Sequence, residues 1–225
     1  RGEHQVVLVE ERRPGQVVMK IDVTIEIENV NVQALYKLEE EGLPVYPQPR
    51  VIDVIQDKRR QKQFYRDHGI PTPDFVLVDD RADAARHADF LPAFNKVGKG
   101  GYDGGGVQRI QTPADLGKVF DAPGLLESFI DFDREISVIA ARNAQGDIAV
   151  FPPVECVFDP KYNLVDYLVA PSSAPVAVLK QAEDIARKVV EAFGIVGVLA
   201  VEMFVSRSGE VLVNEAAPRP HNSGH

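Results

Sequence analysis

The sequence predicts an α/β fold built from α+β lobes, and three observations carry the prediction. Short alternating runs such as Val23-Thr24-Ile25-Glu26-Ile27 are interleaved with stretches of helical period. The stretch from Pro175 to Phe193 carries apolar side chains at 178, 179, 182, 185, 186, 189, 190 and 193, a helical stripe closed by Gly194. Six glycines fall within residues 98–106, between two strand-like runs.

In chain order, Val6–Glu10 reads as a strand, Arg12-Arg13-Pro14-Gly15 as a turn and Val23–Ile27 as a second strand. Val32–Glu41 reads as a helix stopped by Gly42, and Val51–His68 as a longer one stopped by Gly69, Pro71 and Pro73. Phe75–Val78 is a strand and Ala82–Ala88 a helix. Ala93–Val97 enters the glycine-rich stretch, and Val107–Ile110 leaves it. Thr112 is an N-cap with Pro113 at the first helical position. Leu125–Phe129 opens a new segment, and Ile136–Arg142 with Ile148–Pro152 forms a hairpin. Residues 159–173 read as loop, and Val198–Val205 with Glu210–Asn214 as a final hairpin. Three units are expected: an abbreviated N-terminal α/β unit with a linking helix at 1–71, a lid lobe at 72–125 and a nucleotide and metal lobe at 126–225.

A net charge of −9 disfavours nucleic acid and anionic membranes as general partners. The single cysteine, Cys156, forbids an intrachain disulfide and reads as a small buried hydrophobe. No apolar run approaches the roughly 20 residues of a membrane span, and Arg1-Gly2-Glu3-His4 lacks the apolar core of a signal peptide, so a cytoplasmic enzyme is expected.

Three groups of residues carry chemistry. With the last turn centred on Arg207-Ser208, position 202 faces 213, and Glu202 and Glu215 share a face as a diagonal pair roughly 7–8 Å apart. Surrounded by Val201, Met203 and Val213, two such anions repel unless a cation such as Mg²⁺ joins them, with Asn214 as a further oxygen donor. Surface glutamates or salt-bridge partners are the alternative. The run Gly98-Lys99-Gly100-Gly101-Tyr102-Asp103-Gly104-Gly105-Gly106 lets backbone N–H groups approach phosphate. It leads into a strand, which excludes a Walker A loop and a dinucleotide fingerprint and leaves a flap or a flexible hairpin tip. Lys96 precedes it, placed to pair with phosphate. Arg219, His221 and Asn222 in the tail either converge on an anion or stay solvated.

Taken together, GGYDGGG at 100–106, VEMF at 201–204 and NEAAPRPHNSGH at 214–225 resemble the ATP-grasp ligases, in particular the branch that carboxylates an aminoimidazole ribonucleotide in purine biosynthesis. IEIENV at 25–30, QDKRRQKQF at 56–64, GIPTP at 69–73 and LLESFIDFDREIS at 125–137 support the resemblance. It implies a carbon–nitrogen ligase that uses ATP, Mg²⁺ and bicarbonate to carboxylate the amine of 5-aminoimidazole ribonucleotide by way of carboxyphosphate, and that can form a homodimer. It implies nucleotide-phosphate contacts from Lys58 and Lys96, and a flap from Gly101 through Tyr102, Asp103, Gly104, Gly105 and Gly106 to Val107. It implies a hinge of Glu127, Ser128, Phe129 and Ile130 that reads adenine, and a ribose carboxylate at Glu135. Glu202 and Glu215 match the metal ligands, with Asn214 beside them. Tyr102, Asp103 and Arg219 match ribonucleotide contacts, and Arg219, His221 and Asn222 the carboxyphosphate pocket. Gly105 stands where the family carries a basic residue. No glycine-rich strand–helix turn precedes Val6, and the chain stops just after the tail motif, so a version shortened at both ends is expected. The alternative is an ATP-binding core with little or no ligase turnover.

Overall fold

A computed structural model describes residues 5–13, 16–101, 105–158 and 165–224, with side chains from Asp22 onward. Strands β1 (Gln5–Arg13) and β2 (Gln16–Thr24) form one antiparallel hairpin in unbroken register from Gln5↔Thr24 to Arg13↔Gln16. The second strand therefore ends at Thr24, not Ile27. Ile25 leaves the ladder and is buried in a small core with Val23, Leu35, Val45 and Ile52. Arg12 and Arg13 of the expected turn are paired strand residues, while Pro14 and Gly15 lie outside the described residues. Helix α1 (Val32–Glu40) starts where Asn31 accepts a hydrogen bond from the Ala34 N–H, and it returns the chain to β3 (Val45–Tyr46), parallel to β2. Hairpin, helix and strand make a small α/β unit around the core of Val23, Leu35 and Val45.

The helix expected over 51–68 is two helices, α2 (Pro49–Ile55) and α3 (Lys58–Asp67). Asp57 breaks it. Its backbone is extended, its carboxylate caps α3 by accepting the Arg59 N–H at 3.0 Å, and the next N–H, from Lys58, donates to Gly98 O at 2.7 Å. No apolar residue occurs between Ile55 and Phe64, so the hydrophobic period is silent at the break.

Strands β4 (Phe75–Val78), β5 (Ala93–Val97), β6 (Val107–Ile110) and β7 (Gly124–Ser128) make a four-stranded antiparallel sheet in the order β4-β7-β5-β6. The expected lobe boundary at 125/126 falls inside β7. Helix α4 (Arg81–Ala85) is capped by Asp80 and is shorter than expected. The Thr112–Asp115 capping box opens a 3-10 turn at Pro113–Lys118 in place of an α-helix.

The largest sheet holds β8 (Phe132–Arg142), β9 (Ile148–Val150), β10 (Val154–Phe158), β11 (Val165–Val169), β12 (Gly197–Ser206) and β13 (Val211–Ala217). Its order is β11-β10-β8-β12-β13, with β9 also on β8. The region expected as loop at 159–173 thus contains β11, a run of β-formers paired antiparallel to β10; residues 159–164 lie outside the described residues. Helix α5 (Val176–Phe193) covers one face. Val178, Ala182, Ile185, Ala186, Val189, Val190 and Phe193 are buried against Ile136, Val138, Leu199, Val201, Met203 and Val213, and Gly194 ends the helix in the left-handed conformation. Each fully buried valine there contributes about 1.5–3 kcal/mol. The opposite face of the sheet is left to the site. Among the described residues, no helix is long and apolar enough to cross a membrane.

Candidate active site

The last hairpin turns tightly at Ser206–Glu210, where Ser206 N–H donates to Glu210 O, and it pairs Val205 with Val211 and Met203 with Val213. The register then slips by one, so Glu202 pairs with Glu215 and Asn214 is the extra residue of a β-bulge. The expected diagonal arrangement is corrected: the two glutamates are direct cross-strand partners, and such partners have Cβ atoms roughly 4.5–5.5 Å apart. The bulge turns both Asn214 and Glu215 toward the site while Val213 and Ala216 stay in the core.

Two lysine systems meet this pair. Lys58, at the start of α3, donates to Glu215 Oε2 at 2.5 Å. Burial opposes its charge, but the Glu215 carboxylate outweighs burial and raises the Lys58 pKa; Lys58 in turn holds Glu215 below its ordinary value against burial. On β5, Lys96 donates to Glu127 Oε1 at 2.5 Å and to Asn214 Oδ1 at 3.0 Å. Glu127 on β7 is 2% exposed, and its other oxygen lies 2.6 Å from the sealed Lys62 Nζ of α3. Burial would raise the Glu127 pKa, yet Lys96 and Lys62 bring it down to about 2. Lys62 also donates to Thr72 Oγ1 at 2.6 Å and Val213 O at 3.2 Å, and burial lowers it to about 8.

The tail closes the far side. His221 Nε2 lies 3.2 Å from Glu202 Oε1, and its Nδ1 lies 2.8 Å from Ser223 Oγ, which accepts from Ser137 on β8. Arg219 Nε is 3.7 Å from Glu28 Oε1, a residue of the N-terminal unit. Glu135 on β8 has a pKa raised to about 8, chiefly by burial and further by the nearby Glu202 carboxylate. Burial pushes the half-buried Cys156, paired with Glu135 across the sheet, up to about 12.

A cleft of ≈ 760 Å³ lies between the four-stranded sheet and the largest sheet, with Glu28 and the start of α3 at its side. Lys58, Lys96, Gly101, Gly105, Val107, Glu127, Ser128, Ile130 and Glu135 are in its wall. Glu202, Asn214, Glu215, Arg219, His221 and Asn222 join them. Gly106 and Phe129 stand outside the lining. Phe129 is 41% exposed and stacks on Phe94, while Gly106 seals the base of the flap: a Cβ there would come within 2.6 Å of Val97 and 2.8 Å of Gly101 Cα. Tyr102, Asp103 and Gly104 lie outside the described residues. The cleft also holds residues that sequence reasoning left unassigned. Glu28 sits inside the quoted IEIENV segment, and the stacked pair Phe132 and Phe204, with ring centroids 4.9 Å apart, supplies an aromatic wall. Lys62 escaped notice because a lysine in a polar helix reads as solvated.

Two carboxylates and two lysines facing each other between a four-stranded antiparallel sheet and a larger antiparallel sheet define the class. The chain belongs to the ATP-grasp family, whose domain profile matches residues 63–225. It is 40% identical over 215 residues to the N5-carboxyaminoimidazole ribonucleotide synthase of Brucella melitensis, a match covering 90% of this chain and 58% of that protein. The crystal structure of N5-carboxyaminoimidazole ribonucleotide synthetase from Thermotoga maritima is 39% identical with a TM-score of 0.78, over 90% of this chain and 52% of that one. The N5-carboxyaminoimidazole synthase of Aspergillus clavatus, solved in complex with ADP and 5-aminoimidazole ribonucleotide, is 29% identical with a TM-score of 0.82, over 91% of this chain and 54% of that one. The chain therefore spans a little over half the length of these relatives.

Proposed function

We propose that this chain binds Mg²⁺ and ATP in the cleft and uses them to carboxylate the amine of 5-aminoimidazole ribonucleotide with bicarbonate. The observation that carries the reading is the direct pairing of Glu202 with Glu215 opposite Lys58 and Lys96. The oxygen-only donors Glu202, Glu215 and Asn214 suit Mg²⁺, which binds through one or two carboxylates and completes its shell with phosphate and water. When bound, Mg²⁺ neutralises charge on the transferring phosphoryl group.

The chain's own residues do the rest. Lys58 and Lys96 hold the nucleotide phosphates. The hinge from Glu127 to Ile130 and the Phe132–Phe204 wall accept adenine, with Glu135 at the ribose. A bicarbonate oxygen attacks the γ-phosphorus, the bond to the β-phosphate oxygen breaks, and ADP leaves carboxyphosphate. The ribonucleotide amine attacks the carboxyl carbon, releasing phosphate and leaving the carbamate. Arg219, His221 and Asn222 hold the carboxyphosphate, and the flap from Gly101 to Val107 excludes water that would hydrolyse it. Tyr102, Asp103 and Arg219 receive the ribonucleotide. A cytoplasmic setting fits an enzyme fed by ATP and phosphorylated intermediates.

The test is ADP release from the chain with ATP, Mg²⁺ and bicarbonate, with and without 5-aminoimidazole ribonucleotide. Release that depends on the ribonucleotide is expected. ATP binding with no release above background would reduce the protein to a nucleotide-binding core.

A further inference from the structure

Lys62 lies outside the lining of the active-site cleft and carries no role so far, yet it is the most deeply buried cation among the described residues: its side chain is 3% exposed. Its Nζ contacts Glu127 Oε2 on β7, Thr72 Oγ1 and the carbonyl of Val213 beside the bulge. Glu127 is equally sealed and gives its second oxygen to Lys96, whose side chain is 12% exposed and opens to the cleft. The three charged groups form a line from the interior to the site, with a net charge of +1 when all are ionised. The inner two are closed to solvent, so the surplus positive charge is available to a ligand only at Lys96.

We infer that Lys62 is a positioning residue for nucleotide binding: it neutralises Glu127 from behind, leaving the Lys96 ammonium free to face a phosphate. Without Lys62 the buried Glu127 carboxylate has Lys96 as its remaining cation and competes with phosphate for it. A second consequence follows from the same geometry. Lys62 holds Val213 O together with Thr72, which donates to that carbonyl at 2.7 Å, and so fixes the strand next to Asn214, the other partner of Lys96. The inference rests on the nucleotide-binding reading above.

The experiment measures MgATP affinity of the full chain by calorimetry, with circular dichroism confirming that each variant is folded. Lys62→Met is expected to weaken affinity about tenfold, by analogy with the loss on removing an outer-shell partner. In a Lys96→Met background the same change is expected to stay within about twofold, because the group it frees is gone. Lys62→Met combined with Glu127→Gln is expected to recover to within about threefold of wild type, since no buried anion then competes for Lys96. If Lys62→Met fails to fold, the Lys62→Met/Glu127→Gln pair, which swaps a buried ion pair for neutral groups, decides the matter alone: near-native affinity supports the inference, and affinity as poor as that of Lys96→Met overturns it. Equal losses in both Lys96 backgrounds, or no recovery in the double variant, also overturn it. Should Lys96→Met itself leave MgATP affinity unchanged, the nucleotide-binding reading fails instead.

Discussion

Glu127→Gln isolates the buried charge that links the lid sheet to the site. The amide keeps the shape and removes the charge, leaving Lys62 and Lys96 side by side with no carboxylate between them. Lowering the Glu127 pKa from an ordinary 4.5 to about 2 corresponds to about 3 kcal/mol of native-state stabilisation. That agrees with the roughly 3–5 kcal/mol cost of removing one partner from a buried ion pair. The sign follows from a folded pKa below the unfolded one: the contribution is complete above pH 4.5 and is lost as pH falls toward 2. The variant should therefore be about 3 kcal/mol less stable near pH 7 and should approach wild type near pH 2. On the alkaline side, Lys62 already sits at about 8 through burial, and removing Glu127 lowers it further. Above that lowered value the folded variant binds fewer protons than its unfolded chain and gains stability with pH; wild type gains likewise only above about pH 8, so the deficit narrows between the two values and is level beyond. Urea unfolding at 25 °C across pH 3–9 reads this directly. A deficit below about 1 kcal/mol at pH 7, or one constant across pH 3–7, would refute the reasoning.

Three further outcomes are expected. Glu215→Gln should weaken Mg²⁺-dependent ATP binding at least about tenfold, or about 1.4 kcal/mol; unchanged affinity by calorimetry would sink the metal assignment. Gly124→Ala should lower the thermal unfolding midpoint by an amount equivalent to about 1–3 kcal/mol, because its Cβ would sit 2.3 Å from Lys96 O across the β5–β7 ladder. A native-like midpoint would mean that β5 can move aside at no cost. Tyr65 is fully buried and its hydroxyl has no hydrogen-bond partner among the described residues, so Tyr65→Phe should leave stability unchanged or raise it by up to about 1 kcal/mol. Denaturation showing a loss above 1 kcal/mol would count against that account.

The sequence was most informative where one physical signal acted alone. The period of α5 and its stop at Gly194 hold to within a residue, as do β4, β5 and β6. It was least informative where tertiary contact overrode a local pattern. Asp57 breaks what reads as one helix because the N–H of its neighbour Lys58 is claimed by Gly98, 40 residues further on. In the site, residue types and motif order brought Lys58, Lys96, Glu202, Glu215 and His221 together in prospect, and all five line one cleft. The register of the glutamate pair was not legible, because neither the centre of the turn nor the bulge leaves a distinct mark in composition. Glu127 read as hinge backbone, while its side chain points inward to two lysines, and Lys62 was invisible because its burial depends on three partners far apart in sequence.

The bulge at Asn214 also sets how this gene can change length. Were the register beyond Val213 continuous, Asn214 would pair with Glu202, and Glu215 would fall opposite Val201 on the face packed by α5. Losing the single codon for residue 214 would close the bulge and cost one amide, since Glu215 would still face Glu202. One extra residue there would instead set Glu215 opposite Val201, drive its carboxylate into the apolar core and put Ala216 and Ala217 out of phase. The Asn143–Asp147 turn, exposed at the edge of the same sheet, faces no such phase constraint and can absorb insertions that the bulge cannot.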